Sequence, residues 1–254
     1  MPDRFSIILT SVSTGAAGAA LRALQSLYGF DAAGLPIASP FGPASAILAA
    51  ASAAALLALS RRAKPAAGLF SPMSRPWLIV SALGSLCLAV SGFGYMFSSL
   101  GGAVSAADFL LGAFAVFAAL LSPLARRTNH DGTPARGRLL FALVPTCFCV
   151  AWIVVFYRDH AADPLLWHYW CPLLAIAALT ISFYYSAGLY CGRMFFRRAV
   201  FFSALAVMLS ISALPGNGVT PVLFCIAGCA LMRLADLRML LAAENGRSYT
   251  QNEK

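Results

Sequence analysis

The chain has 254 residues, of which 60% are hydrophobic and only 11% charged, and it carries a formal net charge of +9. Soluble domains hold roughly 25% charged residues, so too little polar side chain is present to cover a water-facing core of this size. A soluble fold is excluded, and the composition is that of helices that are apolar all round and dissolved in lipid. Spans of about 20 residues fill the chain as a single transmembrane domain over 1–241, followed by a short polar tail over 242–254.

The first apolar run, Phe5–Leu27, follows Arg4 and is diluted by Ser6, Thr10, Ser11, Ser13, Thr14 and Gly15. A basic residue, an apolar stretch and the small residues Ala16 to Ala20 also match a signal peptide. Cleavage there would leave seven spans and an external N-terminus. Ser11, Gly15 and Ala19 recur every four residues, however, and such a stripe lets a retained helix pack closely in a bundle. The next runs are Phe41–Leu59, Pro76–Ser98 and Val104–Leu124, then Leu139–Tyr157, Leu165–Tyr190, Arg197–Leu214 and Val219–Leu241. Turn-forming or polar segments separate them, among them Gly34-Leu35-Pro36, Gly101-Gly102 and Pro215-Gly216-Asn217-Gly218. Pro43, Pro76, Pro164 and Pro221 stand near helix starts, where a missing N–H costs little. The expected architecture is an all-α polytopic bundle of eight spans.

Charge placement sets the expected orientation. All but Arg22 and Arg158 of the 18 basic residues fall at the N-terminus, on or beside even-numbered connections, at the inner end of the eighth run or in the tail. Basic residues are retained on the cytoplasmic side, so both termini are expected inside, in a bacterial cytoplasmic membrane. The positive excess is thus a topology signal that also offers anionic lipid a contact surface. It does not point to nucleic acid. The four outer connections alternate in size, which hints at two four-helix halves in parallel orientation.

Ionisable residues inside spans are costly and usually functional. Arg22 lies near the outer end of the first span and Asp108 just inside the fourth. Arg158, His160, Asp163 and His168 crowd the third outer connection. Together these six could line an outward polar vestibule, against the alternative of ordinary charge pairs in wet loops. Trp167, Tyr169 and Trp170 beside them read as an interfacial aromatic belt, and the His/Asp spacing is not diagnostic of a metal. Pro145 and Pro172 each remove a backbone hydrogen bond within a span and free the carbonyls of Phe141 and His168. Such kinks can open a cavity between neighbouring helices. Gly188 and Gly192 form a GxxxG pair for close helix contact, within the bundle or across a dimer. Arg233 and Asp236, three apart, can pair on one helix face.

No HExxH, GxSxG or phosphate-binding glycine loop occurs, and no cofactor is implied. The lysines are Lys64 and Lys254, neither within a span, so a retinal Schiff base is excluded. The seven cysteines contain no CxxC pair and fit no zinc site, so they read as small hydrophobes. Asp131-Gly132-Thr133-Pro134-Ala135-Arg136 resembles the DGxxAR opening of the CDP-alcohol phosphatidyltransferases. Those enzymes need further aspartates for two metals. Here Thr128 stands three residues before Asp131 and no acid follows through the fifth span, so the segment reads as a turn. Tyr28-Gly29-Phe30-Asp31-Ala32-Ala33-Gly34-Leu35-Pro36 resembles a turn of uncharacterised bacterial multi-pass membrane proteins, a likeness that implies no activity.

Two functions fit these features. One is small-molecule transport or ligand binding through the outward vestibule. The other is a non-catalytic accessory or scaffold subunit that meets a partner subunit, or its own copy, through small-residue faces.

Overall fold

The computed structural model describes residues 2–29, 40–63, 74–100, 105–125, 138–161, 166–190, 195–215 and 220–242. These form eight α-helices and no strand: α1 Pro2–Tyr28, α2 Phe41–Arg62, α3 Arg75–Leu100, α4 Ala106–Ala125, α5 Arg138–His160, α6 Leu166–Tyr190, α7 Phe196–Ala213 and α8 Pro221–Ala242. Each apolar run of the sequence becomes one helix, with ends that shift by at most three residues.

Helices α1 to α7 are long and apolar enough to cross a bilayer. The eighth has the length but carries Arg233, Asp236 and Arg238. Its charge is tolerable because most of the helix is shielded by protein, with Arg233 and Asp236 buried. Ionisable residues in membrane segments face the bundle interior for this reason.

Residue pairs fix the helix directions. Gly92 faces Val116 while Met96 faces Gly112, so α3 and α4 run antiparallel. Gly84 faces Met232 while Leu88 faces Gly228, so α3 and α8 do also. Gly15 meets Met208 and Gly18 meets Ser212, which makes α1 parallel to α7. The bundle therefore has two ends, one holding Arg22, Asp108 and Arg158, the other holding Arg61, Arg62, Arg197 and Arg238. At the second end Arg197 Nε donates to the carbonyl of Ala63 at 3.3 Å, tying the end of α2 to the start of α7.

Helices α3, α4, α5, α6, α7 and α8 pack in that order into a ring that closes through α3 and α8. Helix α1 lies outside the ring against α7, and α2 covers α1 and α7. Phe148, Cys149 and Trp152 of α5 are fully buried. Phe148 stacks on Trp152 at 5.8 Å and takes the edge of Phe114 from α4 at 6.0 Å. The two four-helix halves are packed differently: α6 and α7 share a broad interface, whereas α2 and α3 do not. The architecture thus does not repeat the alternation of loop sizes.

Small residues permit the close crossings. A Cβ on Gly84 would sit 2.8 Å from the carbonyl oxygen of Gly228, and one on Gly112 only 2.5 Å from that of Gly92. In lipid, where apolar side chains gain little by leaving the solvent, such backbone contact supplies dispersion and packing that hold helices together.

Hydroxyls fill much of the interior. Ser11, Ser45, Ser52, Ser60, Ser81, Ser85, Ser91, Ser182, Ser203 and Ser210 are all buried. Several donate to carbonyls one turn back, as Ser11 to Ile8 and Ser45 to Gly42, which satisfies them without a tertiary partner. The exterior is the apolar surface, with Ile47, Ile79, Leu86, Leu110, Phe117, Leu120 and Val154 all exposed. Bands of aliphatic and aromatic side chains this extensive are stable against lipid and not against water. The chain is an integral, multi-pass membrane protein.

Candidate functional site

Helix α1 turns Ser11, Gly15, Gly18 and Arg22 onto one buried face, because residues spaced by three and four share a side of a helix. Ser11 is fully buried, and Gly15 and Gly18 approach Met208, Ile211 and Ser212 of α7. Ser212 Oγ donates to the carbonyls of Met208 at 3.0 Å and of Gly15 at 3.2 Å, bonding α7 to α1. Ala19 lies at the edge of this face, half-buried. Arg22 follows toward the C-terminal end of α1 and is 9% exposed.

Arg22 lines a cavity shared by α1, α2, α6 and α7. Its walls are Thr14, Gly18, Arg22, Ser45, Leu48, Ala49, Ser52, Trp170, Cys171, Met208, Leu209 and Ser212. The Arg22 guanidinium carbon lies 6.0 Å from the ring centre of Trp170, within reach of cation–π attraction. The Trp170 indole N–H is buried with no acceptor among the described residues. For the centre of a water-sized sphere the cavity offers about 10 Å³, which is room for a single water.

Asp108 and Arg158 come together elsewhere. Asp108 stands in the first turn of α4, Arg158 in the last turn of α5, and their side chains lie 3.9 Å apart. Arg158 also donates through Nε and Nη2 to Asp159 at 2.9 and 2.7 Å. Arg158 is half exposed, whereas the Asp108 oxygen that faces it is buried. Neither Asp108 nor Arg158 lines the Arg22 cavity, so the sequence-expected vestibule divides into two separate places. His160 belongs to neither: its Nδ1 pairs with the carbonyl of Phe156 at 2.8 Å, and its ring packs between Phe156 and Tyr169. Asp163, Gly192 and the side chain of His168 lie outside the described residues.

The prolines Pro145 and Pro172 sit inside α5 and α6, and Pro123 inside α4. The Arg22 cavity borders α6 but not α5, so the kinked pair does not enclose it. A Cβ on Gly188 would meet nothing within 4 Å. Among the described residues nothing packs closely on its face, which is half exposed. Among the described residues no group of three or more His, Cys, Asp or Glu has metal-binding geometry, and no disulfide joins the cysteines.

The most deeply buried charges lie at the opposite end of the bundle. Arg233 pairs with Asp236 on α8. Arg233 Nη1 donates to Ser186 Oγ at 2.7 Å and to the carbonyl and hydroxyl of Ser182, both at 3.4 Å. Its guanidinium lies 3.9 Å from the ring centre of Phe183. Ser182 in turn bonds Ser203 of α7 at 3.0 Å. The pair itself was legible from its spacing. The α6 hydroxyls were not, although Ser182 and Ser186 are four apart on one helix face, which is the signal that finds them. Likewise Ser45 and Ser52, seven apart on α2, mark the wall that faces Arg22.

No protein-family model matches the chain, and no curated protein or solved structure matches it either.

Proposed function

We propose that this membrane protein binds and moves a small solute, and that the solute enters through the Arg22 cavity from the outer side of a bacterial cytoplasmic membrane. The observation that carries this is a guanidinium buried inside a lipid-facing bundle, lining a cavity with hydroxyls and an indole N–H. An arginine enclosed by protein within a spanning helix is kept where it serves a ligand or an ion path. The orientation rests on the basic residues: Arg61, Arg62, Arg197, Arg198 and Arg238 are exposed at the end away from Arg22, as retention of positive charge inside requires. The same exposed arginines give anionic headgroups a docking surface.

Native mass spectrometry of the full chain, released from a mild detergent, tests the proposal. A reproducible small mass on the wild type that disappears in Arg22→Gln supports it. A mass that persists in Arg22→Gln removes this cavity as the site.

The open face of Gly188 favours a second reading, a subunit that docks there against a partner helix or its own copy. A chain that co-purifies with the wild type and is lost in Gly188→Leu would support it.

A further inference from the structure

Helix α7 is the shortest of the eight, with 18 residues. At 1.5 Å per residue it rises about 27 Å, slightly less than the roughly 30 Å of a hydrocarbon core. Arg197 and Arg198 stand second and third in it and are exposed. A helix with no length to spare keeps its first turn in the headgroup layer, so these two guanidiniums end among lipid phosphates rather than in bulk water.

A second pair joins them. Arg61 and Arg62 occupy the last turn of α2 and are also exposed. The bond from Arg197 Nε to the carbonyl of Ala63, at 3.3 Å, brings the end of α2 to the start of α7. Four guanidiniums thus gather at one corner of the bundle, and among the described residues none of them forms an ion pair. Helix electrostatics accounts for only half of this charge. Arg61 and Arg62 complement the C-terminal dipole of α2, whereas Arg197 and Arg198 oppose the dipole of α7, whose first turn holds no acid.

Aromatic side chains lead from this corner to the lipid-facing surface. The guanidinium carbon of Arg198 lies 5.3 Å from the ring centre of Phe195. Stacking uses the face of the guanidinium and leaves the N–H groups of its edge for a phosphate. Phe195 meets Tyr185 at 6.0 Å, and Tyr185 meets Tyr184 at 5.6 Å. Tyr184, Ile181 and Leu174 are exposed along one side of α6. Charge at headgroup depth, then aromatic rings, then an aliphatic strip is the order of groups along a phospholipid.

We infer that this corner binds one anionic phospholipid. Its phosphate meets Arg197 and Arg198, with Arg61 and Arg62 beside it, and an acyl chain lies along the exposed side of α6. A zwitterionic headgroup brings its own cation, so four arginines select a net negative one. The inference narrows the anionic-lipid reading of the basic end to one place and does not depend on the Arg22 cavity.

The test is native mass spectrometry of the full chain in mild detergent, titrated with phosphatidylglycerol or with phosphatidylcholine. The wild type should hold one phosphatidylglycerol at least roughly tenfold more tightly than phosphatidylcholine. Arg197→Gln/Arg198→Gln should lose at least roughly tenfold in phosphatidylglycerol affinity. Arg75→Gln/Arg238→Gln, which removes two exposed arginines elsewhere at the same end, should stay within about twofold of the wild type. Should Arg197→Gln/Arg198→Gln fail to fold, Arg61→Gln/Arg62→Gln carries the test, with a loss of the same sign. Equal affinity for the two lipids, or no loss in either arginine pair, overturns the inference. So does an equal loss in Arg75→Gln/Arg238→Gln, which would show a diffuse attraction with no preferred place. Displacement of the lipid by millimolar inorganic phosphate would show that the arginines read a free anion, and overturns it too. The same spectra score the Arg22-dependent small mass separately, so either reading can fail without the other.

Discussion

Arg233 and Asp236 form an ion pair within one helix, three residues apart on α8, with both side chains less than a tenth exposed. The pair is closed on its other side by hydroxyls of α6, so that the arginine bridges two helices as well as meeting its acid. Buried pairs of this kind add little net stability over apolar residues of equal volume, yet breaking one partner leaves an uncompensated charge.

Asp236→Asn should therefore destabilise the protein by about 3–5 kcal/mol. The double variant Arg233→Met/Asp236→Leu should recover most of that loss. Equilibrium unfolding in mixed micelles measures both. Equal stability of Asp236→Asn and the wild type would show that the pair is not shielded from water.

Glycines divide into those at crossings and those at open faces. Gly228→Ala puts a methyl 2.7 Å from the carbonyl oxygen of Gly84, and the expected cost is about 1–3 kcal/mol of overpacking. Gly188→Ala meets nothing among the described residues and should be neutral or stabilising by up to about 1 kcal/mol from helix propensity. Thermal melts of the two variants should separate clearly. A Gly228→Ala protein as stable as the wild type would contradict the backbone contact between α3 and α8.

Asp108 and Arg158 are a partly exposed pair, and Arg158 keeps Asp159 as a second partner. Asp108→Asn should change stability by no more than about 1 kcal/mol and leave any Arg22-dependent ligand binding unaltered. A marked loss of binding in Asp108→Asn would join the two polar places that the structure keeps apart.

Orientation can be read with reporter fusions. Alkaline phosphatase joined after Ala161 should be active, because that position is expected outside. Joined after Ala125 it should be inactive. The reverse pattern would place both termini outside and turn the Arg22 cavity toward the cytoplasm.

The helices themselves were plain in the linear chain. A lipid-crossing helix must satisfy its backbone internally over a fixed thickness, so length and apolarity mark each run, from Phe5–Leu27 to Val219–Leu241. The face of α1 was partly legible too: Ser11 and Gly15 were visible as a four-residue repeat. Gly18, the glycine that in fact meets Ser212, broke that repeat and was overlooked. Gly84, Gly92, Gly112 and Gly228 carried no signal, because each pairs with a glycine on another helix and no spacing within one helix records that.

What the sequence by itself determined is the class: a multi-pass helical membrane protein, with most of its basic residues sorted to one end. Those follow from solvation, which acts on each segment separately. The tertiary structure alone decided that Arg22 and Asp108 occupy different interfaces, that Arg22 shares a cavity with Ser52 and Trp170, and that Arg233 is enclosed by α6. Those relations depend on which helix lies beside which. In lipid the order of helices is chosen by close packing and hydrogen bonds between helices, which hydropathy along the chain does not encode.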